Sequence, residues 1–387
     1  MRSALLVLAL TLAGFGSALA AEADRGADWL RAVLGGAPLR AEDFADSFLA
    51  QVPLAEVQRV IARTAETVGP PEAVERTDEG YRVRSATHEM SVLMSLDARG
   101  RIAALLLRPP LEIGRTAVSY LEELKALPGE TAVLVLEDGK PLFAHRAQDA
   151  LAVGSAYKLG ILAALAADIK AGKRRWEEVV RLEPRHLSLP SGTLQTFPIG
   201  APLTLHSLAT LMISQSDNTA ADLLLDVVGR PAVAELLGID FVLKTRELFQ
   251  LKADGGRRER FLAADAAGRD ALVAELDGLP VTPEGGSVPH VPGLEWYVPA
   301  ERLCALMESV GGLDMVGLNP GPAAPADWQQ LAFKGGSETG VLNLTTRVQR
   351  ADGRRYCVVF TWNGPDRLDE AKAAMLYGAA LARLARP

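Results

Sequence analysis

The chain has 387 residues, of which 49% are apolar and 23% are charged, and its 48 acidic and 41 basic residues give a net charge of −7. This composition is typical of a soluble globular protein and excludes disordered, collagen-like and coiled-coil chains. The acidic balance argues against nucleic acid as a partner, because phosphate binding needs a basic footprint. At ~150 residues per domain, the length predicts two or three domains.

The first twenty residues are typical of a secretory signal peptide. Arg2 gives a positive start, Ala4 to Phe15 is an apolar run, and Ala18-Leu19-Ala20 has the small-x-small pattern of a cleavage site. A membrane anchor is the alternative, but the run is shorter than the ~20 residues that span a bilayer, and no later segment is long and apolar enough. We therefore expect residues 1–20 to be removed and the mature protein to be exported in soluble form, which in a Gram-negative cell means the periplasm.

Residues 21–110 are predicted to form a small α+β domain. Three helical patterns come first, and the clearest begins at Leu54 and ends at Gly69-Pro70-Pro71. The period then changes to two, and three segments indicate an antiparallel meander: 81–86, 90–96 and 102–107. The prolines of Arg108-Pro109-Pro110 mark the predicted domain boundary.

Residues 111–387 are predicted to form the larger domain, with one sheet built from distant segments and covered by helices. The predicted strands are 131–137, 142–145, 341–349 and 355–362. The predicted helices are 115–126, a buried helix after Val153 that is apolar on all sides, 204–214, 218–228, 299–310 and 366–384. Residues 251–293 are rich in Gly, Asp, Glu and Pro, and we predict that they are largely loop with a helix near 266–276.

The chain has two cysteines, Cys304 in a helical pattern and Cys357 in a strand pattern, both in apolar surroundings. Export would permit a disulfide. Free cysteine nevertheless behaves as a small buried hydrophobe, and we predict two buried thiols rather than a bridge.

The segment Ser155-Ala156-Tyr157-Lys158 opens the predicted buried helix. A serine and a lysine three residues apart lie on the same helix face, where the amine can take the proton that a serine nucleophile must lose. Burial would lower the pKa of Lys158, and the helix N-terminus favours developing negative charge. Taken alone, this spacing also arises by chance, so the motif needs support from the rest of the chain.

The segment Ser216-Asp217-Asn218 lies between two predicted helices. All three residue types cap helices, and we expect this motif to serve as an N-cap. A capping loop can also direct one hydroxyl and one amide into a cleft.

A third motif, Lys334-Gly335-Gly336-Ser337, follows the apolar Leu331-Ala332-Phe333. An edge strand running into a glycine turn is one interpretation. The alternative is a ligand-binding strand, since glycines let the backbone approach a ligand closely and the lysine offers a cation to a carboxylate. The N–H groups of Ser155 and Ser337 would then form an oxyanion hole.

In order along the chain, S-x-x-K, S-D-N and K-x-G resemble the signature of class A β-lactamases and penicillin-binding proteins. On this trio, residues 115–387 are identified as a member of the penicillin-recognising serine hydrolase superfamily. The resemblance implies an α+β fold in which helices cover an antiparallel sheet beside a helical subdomain. It also implies that Ser155 is the acylated nucleophile, Lys158 its base and Ser216 the proton donor to the leaving group.

The same resemblance implies a substrate-binding role for four residues: Asn218 for the substrate amide, Lys334 for its carboxylate, and Gly336 and Ser337 beside them. One departure is Gly335, which stands where the family has a hydroxyl residue, so that a contact to the substrate carboxylate is missing or has moved to Ser337.

A second departure concerns the E-x-x-L-N motif that activates the deacylating water in class A β-lactamases, which is not found here. The nearest segment, Thr245-Arg246-Glu247-Leu248, lacks the asparagine, and we interpret Glu247 as a salt-bridge residue. Hydrolysis of the acyl-enzyme is then slow or uses another group.

The two-part layout, the Thr-Arg-Glu-Leu-Phe segment and the K-G-G motif further resemble the β-lactamase-like proteins of clavulanic acid biosynthesis. In that family the first domain looks like a steroid-isomerase or cyclase fold, and cephalosporin ester cleavage is associated with the second. By resemblance, the 21–110 domain is structural or shapes the edge of the cleft.

The sequence therefore predicts an exported serine hydrolase that forms an acyl-enzyme at Ser155 and acts on a small-molecule β-lactam or related ester. Two alternatives stay open: a D,D-peptidase acting on cell-wall peptides, and an acylated module that binds β-lactams with little turnover. We expect no metal or organic cofactor and no stable membrane insertion after cleavage, and the five histidines show no metal-ligand spacing.

Overall fold

The computed structural model describes residues 19–77 and 80–386, and the chain divides after Arg115 into two compact units. The predicted signal peptide lies outside the described residues except for its last two, with which the first helix begins. Among the described residues, none of the helices combines the length and apolar character that crossing a bilayer requires.

The first unit packs helices beside a small antiparallel sheet. Its helices are α1 Leu19–Leu34, α2 Asp46–Leu49 and α3 Leu54–Val68, and its strands are β1 Ala73–Thr77, β2 Gly80–Arg84, β3 His88–Leu96, β4 Ile102–Leu107 and β5 Leu111–Glu112. The strands pair in the order β1-β2-β3-β4, with β5 on β3. Leu30 and Ile61 of the helices and Val83 and Met90 of the sheet are buried in one core. Helix α3 ends at Gly69, whose φ of 75° is a conformation that glycine adopts readily.

The second unit is a five-stranded antiparallel sheet, in the order β12-β13-β14-β6-β7, with helices around it. From Thr116 onward the elements are α4 Ala117–Lys125, β6 Glu130–Glu137, β7 Lys140–His145, β8 Ala150–Ala152, α5 Lys158–Lys170, β9 Val179–Arg181, β10 Pro202–Thr204, α6 Leu205–Ser214, α7 Asn218–Val228, α8 Arg230–Leu237, α9 Thr245–Ala253, α10 Gly255–Ala263, α11 Ala266–Leu276, β11 Tyr297–Pro299, α12 Ala300–Val310, β12 Gln330–Glu338, β13 Val341–Gln349, β14 Arg355–Asn363 and α13 Glu370–Leu384.

This architecture confirms the predicted sheet of distant segments, because β6 pairs with β14, which lies more than 200 residues later in the chain. Successive side chains of a strand point to opposite faces. The side chain of Cys357 in β14 contacts α12. Thr346 in β13 pairs with the next residue, Val358, and so points to the other face, where its Oγ1 lies 2.8 Å from the Tyr377 hydroxyl of α13. The two helices therefore cover opposite faces of the sheet.

Helix α5 lies at the centre of the helical part and is buried along its first eight residues. It packs against α7, α8 and α12. The apolar run that predicted a buried helix thus places the start of α5, with Lys158, inside the protein. This burial sets the electrostatics of the site described below.

The prediction of two free thiols is wrong, because Cys304 and Cys357 form a disulfide. Helix α12 packs on β14, and this contact brings the two Cα atoms to 5.9 Å, a normal separation for a bridge. The apolar surroundings of each cysteine are visible in the sequence, but their mutual distance is not, because it depends on the packing of the helix on the sheet.

The prediction that residues 251–293 are largely loop is also wrong in its first half. Helix α9 continues to Ala253, and α10 follows immediately. Asp254 caps α10 by accepting a bond of 3.0 Å from the Arg257 N–H. The side chain of Phe261 is buried and packs α10 against its neighbours. The two glycines in the first turn disfavour a helix locally, but the cap and the burial of Phe261 outweigh them. The predicted helix near 266–276 is confirmed as α11.

Candidate active site

Ser155 and Lys158 meet at the start of the buried helix. Ser155 lies in a 3-10 turn, Gly154–Tyr157, that leads directly into α5, of which Lys158 is the first residue. Lys158 Nζ donates to Ser155 Oγ over 3.1 Å. The lysine has no exposed surface, whereas Ser155 keeps part of its surface accessible. A hydroxyl open to a substrate is thus backed by an amine that is closed off from water.

The electrostatics of Lys158 favour easy loss of its proton. Burial lowers the pKa of Lys158 to about 7, against the weaker opposing effect of the Asp222 and Asp217 charges. Among the described residues, its ammonium donates to neutral oxygens: Ser155 Oγ, the Ser216 carbonyl at 2.6 Å, Asn218 Oδ1 at 2.6 Å and Ser216 Oγ at 3.3 Å. A base with its pKa near neutrality can both accept and release a proton at physiological pH.

Ser216 lies in the loop between α6 and α7, with its hydroxyl between two lysines. Its Oγ accepts a bond of 2.9 Å from Lys334 Nζ and one of 3.3 Å from Lys158 Nζ. Its φ of 56° lies in the left-handed region, which costs a non-glycine residue on the order of 1 kcal/mol. Its carbonyl is held by Lys158 and by the Ser191 hydroxyl at 2.6 Å, and these bonds keep the residue in that conformation.

Asp217 caps α7 and ties this loop to its neighbour, as the motif predicted. One carboxylate oxygen accepts from Ala220 N at 2.9 Å, and the other accepts from Thr193 N at 2.7 Å and Leu194 N at 2.8 Å. Asp217 is completely buried. The capping function and the positioning of Ser216 therefore reside in the same three residues.

Asn218 belongs to the same cluster, but the protein itself uses both ends of its amide. Its Oδ1 accepts from Lys158, and its Nδ2 donates to the Leu189 carbonyl over 2.9 Å. The side chain is almost fully buried. In this arrangement, Asn218 orients Lys158, and a contact with a substrate amide requires its second Nδ2 hydrogen.

Lys334 lies on the edge strand β12, and its side chain is buried. Burial and then the charge of Lys158 hold the pKa of Lys334 well below its usual range. Besides Ser216 Oγ, its Nζ donates to the carbonyl of Gly335. The two lysines thus share one hydroxyl as an acceptor, which couples Ser155, Ser216 and Lys334 into one network.

The glycines of β12 let the strand pass directly against the turn that carries Ser155. A Cβ on Gly336 would lie 2.2 Å from the Val153 carbonyl oxygen and 2.6 Å from Ser155 N, so that only glycine fits. An ideal Cβ on Gly154 would lie 3.4 Å from Ser337 N, which places that N–H beside the same turn. Ser337 itself is exposed. The structure therefore brings together all seven residues that the motifs singled out: Ser155, Lys158, Ser216, Asn218, Lys334, Gly336 and Ser337.

Glu247 is held by the protein on both of its carboxylate oxygens. Oε2 accepts from Lys244 N at 2.8 Å, and Oε1 accepts from the Arg230 guanidinium. The side chain is buried. The interpretation of Glu247 as a salt-bridge residue is confirmed.

The sequence motifs do not include Asp222 of α7, a buried carboxylate that holds the start of α9 close to the site. It accepts from Thr245 N at 2.6 Å, from Thr245 Oγ1 at 2.8 Å and from Arg246 N at 2.9 Å, and so caps α9 from another helix. Burial raises the pKa of Asp222 to about 7 despite these bonds. The sequence carried no signal for it, because its partners come from more than twenty residues away.

An aromatic pair was also missed. The ring of Tyr157, inside the S-x-x-K motif, stacks on Trp296 with centroids 3.8 Å apart and an interplanar angle of 2°. Trp296 donates to the Leu243 carbonyl over 3.1 Å, and its own carbonyl accepts from Val153 N at 3.1 Å. The segment before β11 thus anchors the turn that carries Ser155.

Comparisons with known proteins find a similarity to one family model and to solved structures. Residues 117–269 match the model of the β-lactamase enzyme family. This segment carries Ser155, Lys158, Ser216 and Asn218 and ends before Lys334. A comparison with curated protein sequences finds no significant match.

Two solved structures with a TM-score of 0.50 show the same fold. A β-lactamase from Sphaerobacter thermophilus matches with a TM-score of 0.50 and 21% identity, over 69% of this chain and 94% of its own. A β-lactamase from Xanthomonas campestris matches with a TM-score of 0.50 and 17% identity, over 69% of this chain and 96% of its own. A structure of PBP-A matches with a TM-score of 0.49 and 16% identity, over 70% of this chain and 96% of its own. The chain has the β-lactamase/transpeptidase-like fold.

Proposed function

We propose that this protein is a serine hydrolase in which β-lactams or related esters acylate Ser155. The observation that carries the proposal is the contact of 3.1 Å between Ser155 Oγ and the buried Lys158 Nζ. The family match of residues 117–269 and the β-lactamase/transpeptidase-like fold support the same class of reaction.

Acylation begins when neutral Lys158 takes the proton of the Ser155 hydroxyl while Oγ forms a bond to the substrate carbonyl carbon. The carbonyl electron pair moves to oxygen, and the N–H groups of Ser155 and Ser337 stabilise that negative charge. Ser216 then gives its proton to the leaving group as the bond to the carbonyl carbon breaks. Lys158, 3.3 Å from Ser216 Oγ, returns the proton that it took from Ser155.

Deacylation requires a water molecule and a group that accepts its proton. Glu247 does not provide this group, because both of its oxygens bind protein donors. This observation favours a second candidate function, a module that captures β-lactams covalently and releases them slowly. The two candidates share Ser155 and differ in the fate of the acyl-enzyme.

A chromogenic cephalosporin distinguishes these outcomes when colour and intact mass are followed on the same sample. Continuous colour supports turnover. A single stoichiometric burst with a lasting mass increase supports capture. If neither colour nor a mass adduct develops, the β-lactam proposal is wrong.

Ser155→Ala is the decisive variant, and we expect it to abolish the adduct. Ser309→Ala is the matched control, because the Ser309 hydroxyl only donates to the Leu306 carbonyl of its own helix α12. Labelling that survives in Ser155→Ala would exclude Ser155 as the nucleophile. Loss of labelling in Ser309→Ala would show that the assay reports folding rather than chemistry.

We also infer export, with cleavage after Ala20. The positive start, the apolar run and the small-x-small site support this inference. The intact mass of protein recovered from the periplasm of a Gram-negative host tests it. A mature chain that begins at Ala21 is expected, whereas a full-length chain in the cytosol would contradict export.

A further inference from the structure

Beside the site lies a buried cluster of three charged residues that the proposed reaction does not use. Lys252 of α9 donates from Nζ to Glu295 Oε1 and to Glu338 Oε2, both over 2.7 Å. The side chains of Lys252 and Glu295 are 1% and 0% exposed, and that of Glu338 is 13% exposed. One cation therefore faces two carboxyl groups in a region that is almost free of water.

The hydrogen bonds of this cluster leave one oxygen of each carboxyl without a donor. Glu295 Oε1 accepts from Lys252 and from Val291 N at 3.3 Å, and Glu338 Oε2 accepts from Lys252. Glu295 Oε2 and Glu338 Oε1 are buried, and no N–H or O–H group of the described residues donates to them. The two carboxyls are neighbours, because Glu295 Oε1 and Glu338 Oε2 each lie 2.7 Å from the same Lys252 Nζ. A proton held between the two oxygens that lack a donor satisfies both and reduces the cluster to one negative and one positive charge.

Both carboxyls belong to segments that flank Ser155. On β12, Lys334, Gly336 and Glu338 share one face, because side chains two residues apart point the same way. This is the face on which Gly336 packs against Ser155 N, and Glu338 follows Ser337 directly. From the other side, Glu295 precedes Trp296, whose carbonyl binds Val153 N.

We propose that Glu295 and Glu338 share one proton and that this pair, closed by Lys252, is a positioning device that holds the Ser337 and Ser155 backbones together for acylation. The proposal rests on the acylation proposed above. It assigns no contact with substrate to these three residues. They act through the N–H group of Ser337, which adjoins Glu338.

The surroundings of Glu295 and Glu338 set the pH above which the pair can no longer share a proton. Burial, then the Glu338 charge, raises the pKa of Glu295 to about 8, although Lys252 opposes this. Tyr297 of β11 also faces the cluster: burial and then the Glu295, Glu130 and Glu338 charges raise its pKa above the usual range, and its hydroxyl lies 3.2 Å from His290 Nδ1. The Arg258 guanidinium lies beside the cluster as well and donates to the Lys252 carbonyl over 3.0 Å. Above about pH 8, Glu295 loses its proton, and repulsion between its new charge and that of Glu338 loosens the end of β12.

The pH dependence of acylation tests this device. With wild-type protein, the burst rate should rise through about pH 7 as Lys158 loses its proton and fall above about pH 8 as the pair loses its own. Glu295→Gln and Glu338→Gln each keep a neutral hydrogen-bond donor beside a single carboxylate. Each variant should therefore retain the rise and lose the fall. The ratio of its rate at pH 9.5 to its maximum rate should be at least about threefold higher than the same ratio for wild type.

Glu308→Gln is the matched control, since Glu308 of α12 pairs with Arg347 at 2.6 Å and Arg355 at 3.0 Å, outside the cluster. The alkaline fall should persist in this variant. A merely structural role for the pair predicts lower rates at every pH with the fall unchanged. That result, or a wild-type profile with no alkaline fall, would overturn the proposal.

Thermal unfolding tests the shared proton without any substrate. The folded protein keeps a proton on Glu295 that the unfolded chain releases above its usual pKa of 4.5, so wild-type stability should decline between pH 4.5 and about 8 and then level off. Glu295→Gln lacks the stabilisation that this proton provides, so its Tm relative to wild type should rise between pH 4.5 and about 8. A constant Tm difference would refute proton sharing even if acylation is observed. Conversely, a rising difference with no acylation would retain the pair and reject the proposed function.

Discussion

Two buried lysines of the same domain show opposite behaviour. Burial lowers the pKa of Lys158 to about 7, whereas the pKa of Lys252 stays above its ordinary value although burial opposes it. Lys158 donates to hydroxyl, carbonyl and amide oxygens, and Lys252 donates to two carboxyl groups. The hydrogen-bond partner, rather than burial, therefore decides which lysine can act as a base and which holds structure together.

The largest expected effect comes from removing the reactive lysine. Lys158→Met should slow acylation of Ser155 by roughly 10²–10⁴-fold, the usual contribution of a general base. Stopped-flow measurement of the burst with a chromogenic cephalosporin gives this rate. Lys170→Met, at the exposed end of the same helix, serves as the control and should leave the rate unchanged. A Lys158→Met variant with a normal burst rate would remove the base from the mechanism.

Removing the other lysine should affect stability instead. Lys252→Met leaves Glu295 and Glu338 buried without a cation, which we expect to lower the free energy of unfolding by about 3 kcal/mol at pH 8. The loss should shrink near pH 5, because Glu295 can then be protonated. Urea unfolding at the two pH values measures the difference.

Lys173→Met is the control for this loss. Lys173 also pairs with a carboxylate, Asp168 at 3.0 Å, but its side chain is 70% exposed. An exposed pair contributes little, so this change should stay within about 0.5 kcal/mol. Equal losses in Lys252→Met and Lys173→Met would contradict the assigned importance of the buried cluster.

A single substitution can make Lys158 resemble Lys252. Asn218→Asp places a carboxylate oxygen at the position of Oδ1, 2.6 Å from Lys158 Nζ, and should raise the pKa of that lysine by about one unit or more. Acylation at pH 7 should then be roughly fivefold slower than in wild type, since a rise of one unit from a pKa of about 7 lowers the neutral fraction from about one half to about one tenth. The ratio of variant to wild-type rates should approach one as the pH rises. A ratio that is the same at every pH would show that the loss comes from substrate binding or packing.

The contrast between the two lysines also marks what the sequence could predict. Lys158 follows Ser155 by three residues, across the 3-10 turn that leads into α5, so that its neighbourhood follows from local geometry. The other motif residues lie next to glycines or caps whose structure is local as well. Lys252, Glu295 and Glu338 come from a helix, a loop and a strand end, and only the completed fold brings them together. The disulfide was mispredicted for the same reason, because its geometry depends on how α12 packs on β14.

The missed helix α10 has a different cause. Its Gly255-Gly256 start reads as a break in the chain, and the Asp254 cap becomes visible only once the helix is known. The predicted sheet, by contrast, was confirmed because the apolar strand runs of β6, β13 and β14 are long and each ends at a turn or polar residue. A strand with a long apolar run can thus be predicted from the sequence, whereas electrostatic contacts between distant segments cannot.

The smallest expected effect concerns a third buried polar group, the Tyr157 hydroxyl, which has no hydrogen-bond partner among the described residues. Tyr157→Phe keeps the ring stacked on Trp296 and removes a hydroxyl that was desolvated without compensation. We expect the free energy of unfolding to stay the same or rise by up to about 1 kcal/mol, with the acylation rate within twofold of wild type. Urea unfolding and the burst assay measure both. A loss above about 1 kcal/mol would indicate that a buried water bonds this hydroxyl, and the partner would again decide the energetics of the buried group.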